Sequence, residues 1–260
     1  MKPKYLFYSL LFCSICLFFL PGCESDVFPS GDNTGGAGGS MARFAVRDNY
    51  LYTVDFQNLK MFDISTSDQP RYLKGKEQHL GFDIETIFVK DTLLFIGSQS
   101  GMFIYSITRP NYPQMLSHVS HIQSCDPVVA SGNYAYVTLN SENVRCGRTS
   151  NLLQVYDISN LYKPELKQSI VGFMHPRGLG VDGKKLFICD NGLKVYDIDN
   201  PENPRWVDDL SDLPEADGID AYDVIPWNGV LLLTGANGLY QFDYTGEKLK
   251  FVSKIEVSQK

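Results

Sequence analysis

Residues 185–210 read "KLFICDNGLKVYDIDNPENPRWVDDL". An apolar run, Leu186 to Cys189, meets Asp190, Asn191 and Gly192, residues with turn chemistry. A second strand-like stretch, Leu193 to Ile198, meets a turn holding Pro201 and Pro204, and "RWVDDL" follows. Short apolar and β-branched runs punctuated by Gly, Asn and Pro predict strands joined by tight connections. The central phrase recurs along the chain as "LKMFDIS" (59–65), "MFIYSIT" (102–108), "LQVYDIS" (153–159), "LKVYDID" (193–199) and "LYQFDYT" (239–245). Its aromatic falls at Phe62, Tyr105, Tyr156, Tyr196 and Phe242, at intervals of 43, 51, 40 and 46 residues. Self-similarity at that period marks stacked supersecondary units.

Each unit shows one order: a short strand, a turn ("RDN", "KD", "SGN", "DGK", "WNG"), an apolar strand, a loop, the motif strand, a turn that contains proline in all but the last unit, and a last strand. The second strands are apolar at consecutive positions, as in Leu93–Ile96, Leu186–Cys189 and Leu231–Leu233. Such runs predict burial on both sheet faces. Sheets stacked face to face around an axis supply that environment, so the reading is an all-β fold, a β-propeller of five four-stranded blades over residues 42–260. Every unit owns its four strands. The ring would therefore close by packing blade five on blade one, or stay an open array whose ends need a partner.

Gly192-Leu193, Val195-Tyr196-Asp197-Ile198, and Asn200-Pro201 with Asn203-Pro204 resemble the LVIVD repeat of bacterial and archaeal surface proteins. "QVYDISNLYKPEL" (154–166), "MFDISTSDQPRYL" (61–73) and "IYSITRPNYPQML" (104–116) repeat the pattern, and the last unit keeps the aromatic and Asp without the proline. The resemblance implies a propeller and a surface location, and no activity. Asp63, Asp157, Asp197 and Asp243 follow the aromatic and are expected to bind backbone amides in the turn ahead.

The N-terminus carries an address. Lys2 and Lys4 precede an uncharged run over 5–20, too short for a comfortable span and suited to a secretory signal. It ends "FLPGC": Leu20, Gly22 and Cys23 resemble a bacterial lipobox, with Pro21 departing from the usual small residue. The expected organisation is a signal peptide over 1–22, a lipidated Cys23 with a Gly/Ser-rich tether to residue 41, and the propeller. Glu24 stands where an Asp would mark inner-membrane retention, so the expected location is the outer membrane, periplasmic or surface-exposed.

The net charge is −7, and losing Lys2 and Lys4 would leave about −9. An acidic body without a basic stripe excludes general nucleic-acid binding. The sequence after the signal holds no G-x-S-x-G, phosphate loop, H-E-x-x-H or C-x-x-C, and no cofactor or metal is expected. His118, His121 and Cys125 lack metal geometry, because strand residues three apart face opposite sides. The carboxylate-rich run 208–223 lacks the spacing of a calcium loop.

Cys125 and Cys146 fall at one end of blade three and would form a disulfide in an oxidising envelope. Cys189 reads as a small buried hydrophobe. Polar residues are expected to gather at one end of the ring, just before each first strand: Asp83 and Glu85, Asp126, His175 and Arg177, Asp220 and Asp223, with Asp190 from a neighbouring loop. They form a candidate ligand-binding face. The expected role is a non-catalytic binding or scaffold module for a protein or glycan partner. The alternative is a glycoside hydrolase using carboxylates such as Asp83, Asp126 and Asp220 around the axis.

Overall fold

A computed structural model describes residues 39–81, 83–120, 127–140 and 151–257 of the chain. It is an all-β protein with five antiparallel sheets arranged in a ring, a five-bladed β-propeller. Blade one runs Phe44–Arg47, Tyr50–Val54 and Asn58–Asp63, its outer position shared by the short strands Arg71–Tyr72 and Gln78–His79. Blade two holds Ile84–Lys90, Leu93–Ser98, Gly101–Ser106 and Gln114–Ser120; blade three, Val128–Ser131, Tyr134–Leu139, Leu152–Asp157 and Glu165–Val171. Blade four holds Leu179–Asp182, Lys185–Cys189, Leu193–Asp197 and Arg205–Asp209; blade five, Ala221–Trp227, Val230–Gly235, Gly238–Asp243 and Lys250–Glu256. Strands follow chain order within every sheet, so no strand is exchanged between blades.

The repeat builds each blade by the same local devices. The turn between the first two strands needs a left-handed residue, and Asp48, Asp91, Gly132, Gly183 and Asn228 occupy it with φ near +50°. The residue after it (Asn49, Thr92, Asn133, Lys184 and Gly229) accepts through its carbonyl from the amide of Ile64, Ile107, Ile158, Ile198 and Tyr244, at 2.8 to 3.0 Å. This bond ties the end of the motif strand to the first hairpin in all five blades. The motif aspartates act as the sequence predicts. Asp63 accepts from the Ser65 amide at 3.0 Å, and Asp157, Asp197 and Asp243 accept from Ser159, Asp199 and Thr245 at 2.8 Å. Blade two substitutes Ser106, whose hydroxyl accepts from the Thr108 amide at 3.4 Å. Hydrogen bonds within the turn hold the four carboxyls below the usual range, Asp63 at about 2.

Each sheet has a backward face toward the preceding blade and a forward face toward the next. The motif aromatic and its partner on the second strand point backward; the residues beside them point forward. Tyr52 and Met61 of blade one thus meet Leu94 and Tyr105 of blade two. Phe95 and Ile104 meet Ala135 and Tyr156; Tyr136 and Val155 meet Leu186 and Tyr196; Phe187 and Val195 meet Leu231 and Phe242. Burying a Leu- or Phe-sized side chain contributes about 1.5–3 kcal/mol, so these layers hold the ring together. The forward tyrosines also reach across polar gaps: Tyr52 donates to the Pro110 carbonyl at 2.9 Å and Tyr136 to that of Pro201 at 3.3 Å. Cys189 lies in the layer between blades four and five as a free thiol, its pKa pushed up by burial.

One expectation is corrected here. The run Leu231–Leu233 reads as buried on both sides, yet Leu232 is only half-buried. Its two neighbours pack on blade four, whereas Leu232 points to the far side of the last blade. Among the described residues, four apolar clusters lie between consecutive blades, and none joins blade five to blade one.

Candidate functional site

The axial mouth is organised by Asp223, on the first strand of blade five. Ser40, 1% exposed, donates to Asp223 Oδ1 at 3.3 Å, and the Met41 amide donates to Oδ2 at 3.2 Å. The Leu179 amide of blade four donates to Ser40 Oγ at 2.7 Å, and the Ile87 amide of blade two to the Ala42 carbonyl at 2.9 Å. Residues 39–42 thus cross the mouth and link blades two, four and five. Space around the carboxylate is filled: a Cβ at Gly39 would lie 1.9 Å from Asp223 Oδ2, and one at Gly178 would lie 2.2 Å from Oδ1. Burial raises the Asp223 pKa to about 6, against the pull of its hydrogen bonds from Met41, Val224 and Ser40.

A second cluster lies off the axis. Arg177 donates to Asp220 Oδ1 at 2.6 Å and to the Ala221 carbonyl at 3.3 Å, with its guanidinium 4.9 Å from the centre of the Tyr222 ring. Its own carbonyl accepts from Thr138 Oγ1 at 2.7 Å, so this one residue connects blades three, four and five. Asp190 is buried. Its Oδ1 accepts from the Met174 and His175 amides at 2.9 and 2.6 Å, and its Oδ2 pairs with Lys194 at 2.6 Å. A buried carboxylate with two amide donors and an ammonium is satisfied, and it fixes the loop ahead of blade four.

Asp190 and Asp220 also bound a groove of about 660 Å³ between the turn 190–194 and the loop 209–220. Asp209, Asp212 and Asp217 line it with them, against one lining cation, Lys194. Leu193, Leu210, Leu213, Ala216 and Ile219 supply apolar surface. Pro214–Ala216 forms a 3-10 turn in the far wall. The carboxylate run 208–223 is thus largely the wall of a concavity. Composition alone could not separate a wall from a loop. The signal available was Leu210, Leu213, Ala216 and Ile219 spaced through the acidic stretch.

The candidate face is therefore split. Asp190, Arg177 and Asp220 come together at the groove, with His175 joined to Asp190 through its amide, whereas Asp223 belongs to the axial clamp. Asp83 and Glu85 lie on blade two, where the Asp83 carbonyl accepts from the Gln99 amide at 3.1 Å. Burial raises the Glu85 pKa, opposed by a hydrogen bond from Gln99 and by the charge of Arg43. Glu85 and Asp223 are not ahead of their strands, as expected, but inside Ile84–Lys90 and Ala221–Trp227. A register shift at the start of each strand accommodates an extra residue, Glu85 in one and Tyr222 in the other. Cys23, Asp126, Cys146, His121 and Cys125 lie outside the described residues, and so does the expected disulfide. His118 stacks on Phe103, ring centres 4.2 Å apart.

The LVIVD repeat family model matches residues 38–71 and 124–171, the first and third blades. Over these two stretches the chain is similar to the LVIVD repeat. No curated protein matches it in sequence. Among solved structures it is similar to a functionally unknown protein from Desulfotomaculum acetoxidans DSM 771, with TM-score 0.67 and 13% identity over 83% of this chain and 69% of that one. It is similar to apo AztD from Citrobacter koseri, TM-score 0.59, 12% identity, 80% of this chain and 60% of that one. The periplasmic gluconolactonase PpgL of Pseudomonas aeruginosa gives TM-score 0.56 and 15% identity, over 80% of this chain and 68% of that one. At such identities the likeness is one of fold. The chain spans 60% to 69% of the length of these three proteins.

Proposed function

We propose that this chain is an outer-membrane lipoprotein, anchored through Cys23, whose propeller is a non-catalytic module that binds a protein or glycan partner at its end face. The observation that carries the binding reading is the groove between blades four and five. It joins apolar surface to a rim of aspartates, the composition of a recognition site. Asp190, Asp212 and Asp220 are held in place by Lys194, Lys248 and Arg177, so the rim is pre-organised. Three of the five lining aspartates are paired with these cations, which leaves the groove a net charge of about −2 through Asp209 and Asp217, so it suits a partner presenting positive groups. The hydrolase reading draws less support, because Asp223, the most perturbed carboxyl at the axis, is enclosed by residues 39–41 and Gly178 and offers no open side to a substrate.

Titration of the purified protein with a fluorescent lysine-rich peptide and, separately, with a neutral oligosaccharide tests this reading. Salt-sensitive peptide binding that Asp217→Lys abolishes supports the groove. Binding unchanged by that substitution assigns the partner to another surface, and failure of both probes removes the charge argument.

A further inference from the structure

The two terminal blades end in surfaces of the kind that the other blades bury. On the second strand the forward-pointing residues are Tyr52, Phe95, Tyr136 and Phe187 in blades one to four, each 0% exposed. Their counterpart in blade five is Leu232, half-buried. On the motif strand the forward series is Met61, Ile104, Val155, Val195 and Gln241: four buried apolar residues and then one half-buried amide. Ile225, Leu232 and Gln241 form a cross-strand row on the free face of blade five, with Trp227 beside it, 50% exposed.

Blade one shows the converse. The motif aromatic is buried against the preceding blade in blades two to five, at Tyr105, Tyr156, Tyr196 and Phe242. Phe62, the same residue in blade one, is half-buried. It lies in a cross-strand row with Val46, Leu51 and Tyr72, beside Phe44, which is 56% exposed. The bonds of residues 39–42 tie the ends together at the axial mouth, yet the two sheet faces keep this exposure. Terminal repeats of a solenoid normally carry a polar outer face. Thr234, Gln241 and Ser253 on blade five and Thr53 and Lys60 on blade one are such residues, set among apolar neighbours.

The molecule itself shows what covers such a face. Four times, a forward face is sealed by a backward face. Among the described residues nothing covers the forward face of blade five or the backward face of blade one, so the two are complementary by the rule the fold already uses. The solved structures similar over four fifths of this chain extend beyond the matched part, which is 60% to 69% of their length.

We propose that the free face of blade five docks the free face of blade one of a second copy of this chain, extending the blade stack from one molecule to the next. The interface is heterologous, so one surface of each copy remains open and association can propagate.

Sedimentation velocity of the full chain in one detergent, with Val46→Glu and Leu232→Glu variants, tests the proposal. Circular dichroism and melting confirm that each variant folds; Phe44→Glu and Trp227→Glu, at more exposed sites, replace any that does not. Wild type is expected to gain mass in whole multiples of the monomer up to about 100 μM, where a Kd near 1 μM is saturated. Each variant alone is expected to stay monomeric. An equimolar mixture of the two is expected to give a 1:1 dimer and nothing larger, since one intact surface of each kind remains. A wild type monomeric throughout, variants that associate like wild type, or a mixture that stays monomeric would each overturn it.

Discussion

Ser40 and Asp223 are 183 positions apart in the chain and share a hydrogen bond of 3.3 Å, buried where the first blade begins and the last blade lies alongside. The serine also accepts from the Leu179 amide. Replacing Ser40 by Ala removes that acceptor from a buried N–H and the donor from a buried carboxylate. Leaving such groups unsatisfied costs about 1–3 kcal/mol. Ser40→Ala is therefore expected to lower stability in urea by that amount. An unchanged midpoint would show that the clamp does not hold the fold.

The same carboxyl sets a pH dependence. Asp223 titrates near 6 in the folded protein, above its ordinary 3.8. Between these values the folded state binds more protons than the unfolded state, so stability rises as pH falls from about 6.5 to 4 and levels off below. Glu85 acts in the same direction through its own burial. The Asp223 contribution is on the order of 3 kcal/mol. Urea unfolding at intervals from pH 4 to 7 should show the slope, and Asp223→Asn should flatten it. An identical slope in the variant would assign it elsewhere.

The motif aspartates pull the other way at lower pH. Asp63, Asp157, Asp197 and Asp243 have folded pKa values below the unfolded value, so they stabilise above about pH 4, and that stability is lost as pH falls toward 2. Stability is thus expected to peak between pH 4 and 5. Asn retains the carbonyl oxygen that accepts from the turn amide. Replacing all four by Asn should keep the fold while shifting acid unfolding to lower pH. Loss of the fold at neutral pH would mean that the charge itself is needed, through partners such as Arg71 and Arg205.

The blade count, the strand order and the role of the motif aspartate were legible because each is a local property repeated five times. A turn needing positive φ selects Asp, Asn or Gly wherever it occurs, and alternation within a strand reports both faces at once. What could not be read was set by position in the ring. Leu232 and Phe187 sit at the same place in their repeats, and only the absence of a following blade exposes the first. Ser40 looked like tether because its environment comes from blades four and five. Asp190, Arg177 and Asp220 were legible as an end-face group, but their ion pairs and the groove depend on a loop whose acidic composition resembles any solvated loop.

That positional difference is measurable. Phe187→Ala empties a fully buried forward position and is expected to cost about 3–5 kcal/mol. Leu232→Ala, at the equivalent half-buried position, is expected to cost about 1 kcal/mol when measured on dilute protein. Urea midpoints of the two variants check this. Comparable losses would mean that the free face of blade five is covered within a single molecule.

The proposed lipid anchor rests on Cys23 and the sequence around it. An acyl chain partitions into a bilayer with about 0.8 kcal/mol per buried methylene, so several chains hold a protein stably whereas a cleaved, unacylated one is released. The described residues include no helix long and apolar enough to cross a membrane. Cys23→Ala is expected to move the protein from the membrane pellet to the soluble fraction of a bacterial expression host, or to leave an unprocessed precursor larger by the signal peptide. Membrane retention of a processed Cys23→Ala protein, resistant to high salt, would reject lipidation and leave the propeller to reach its membrane through a partner.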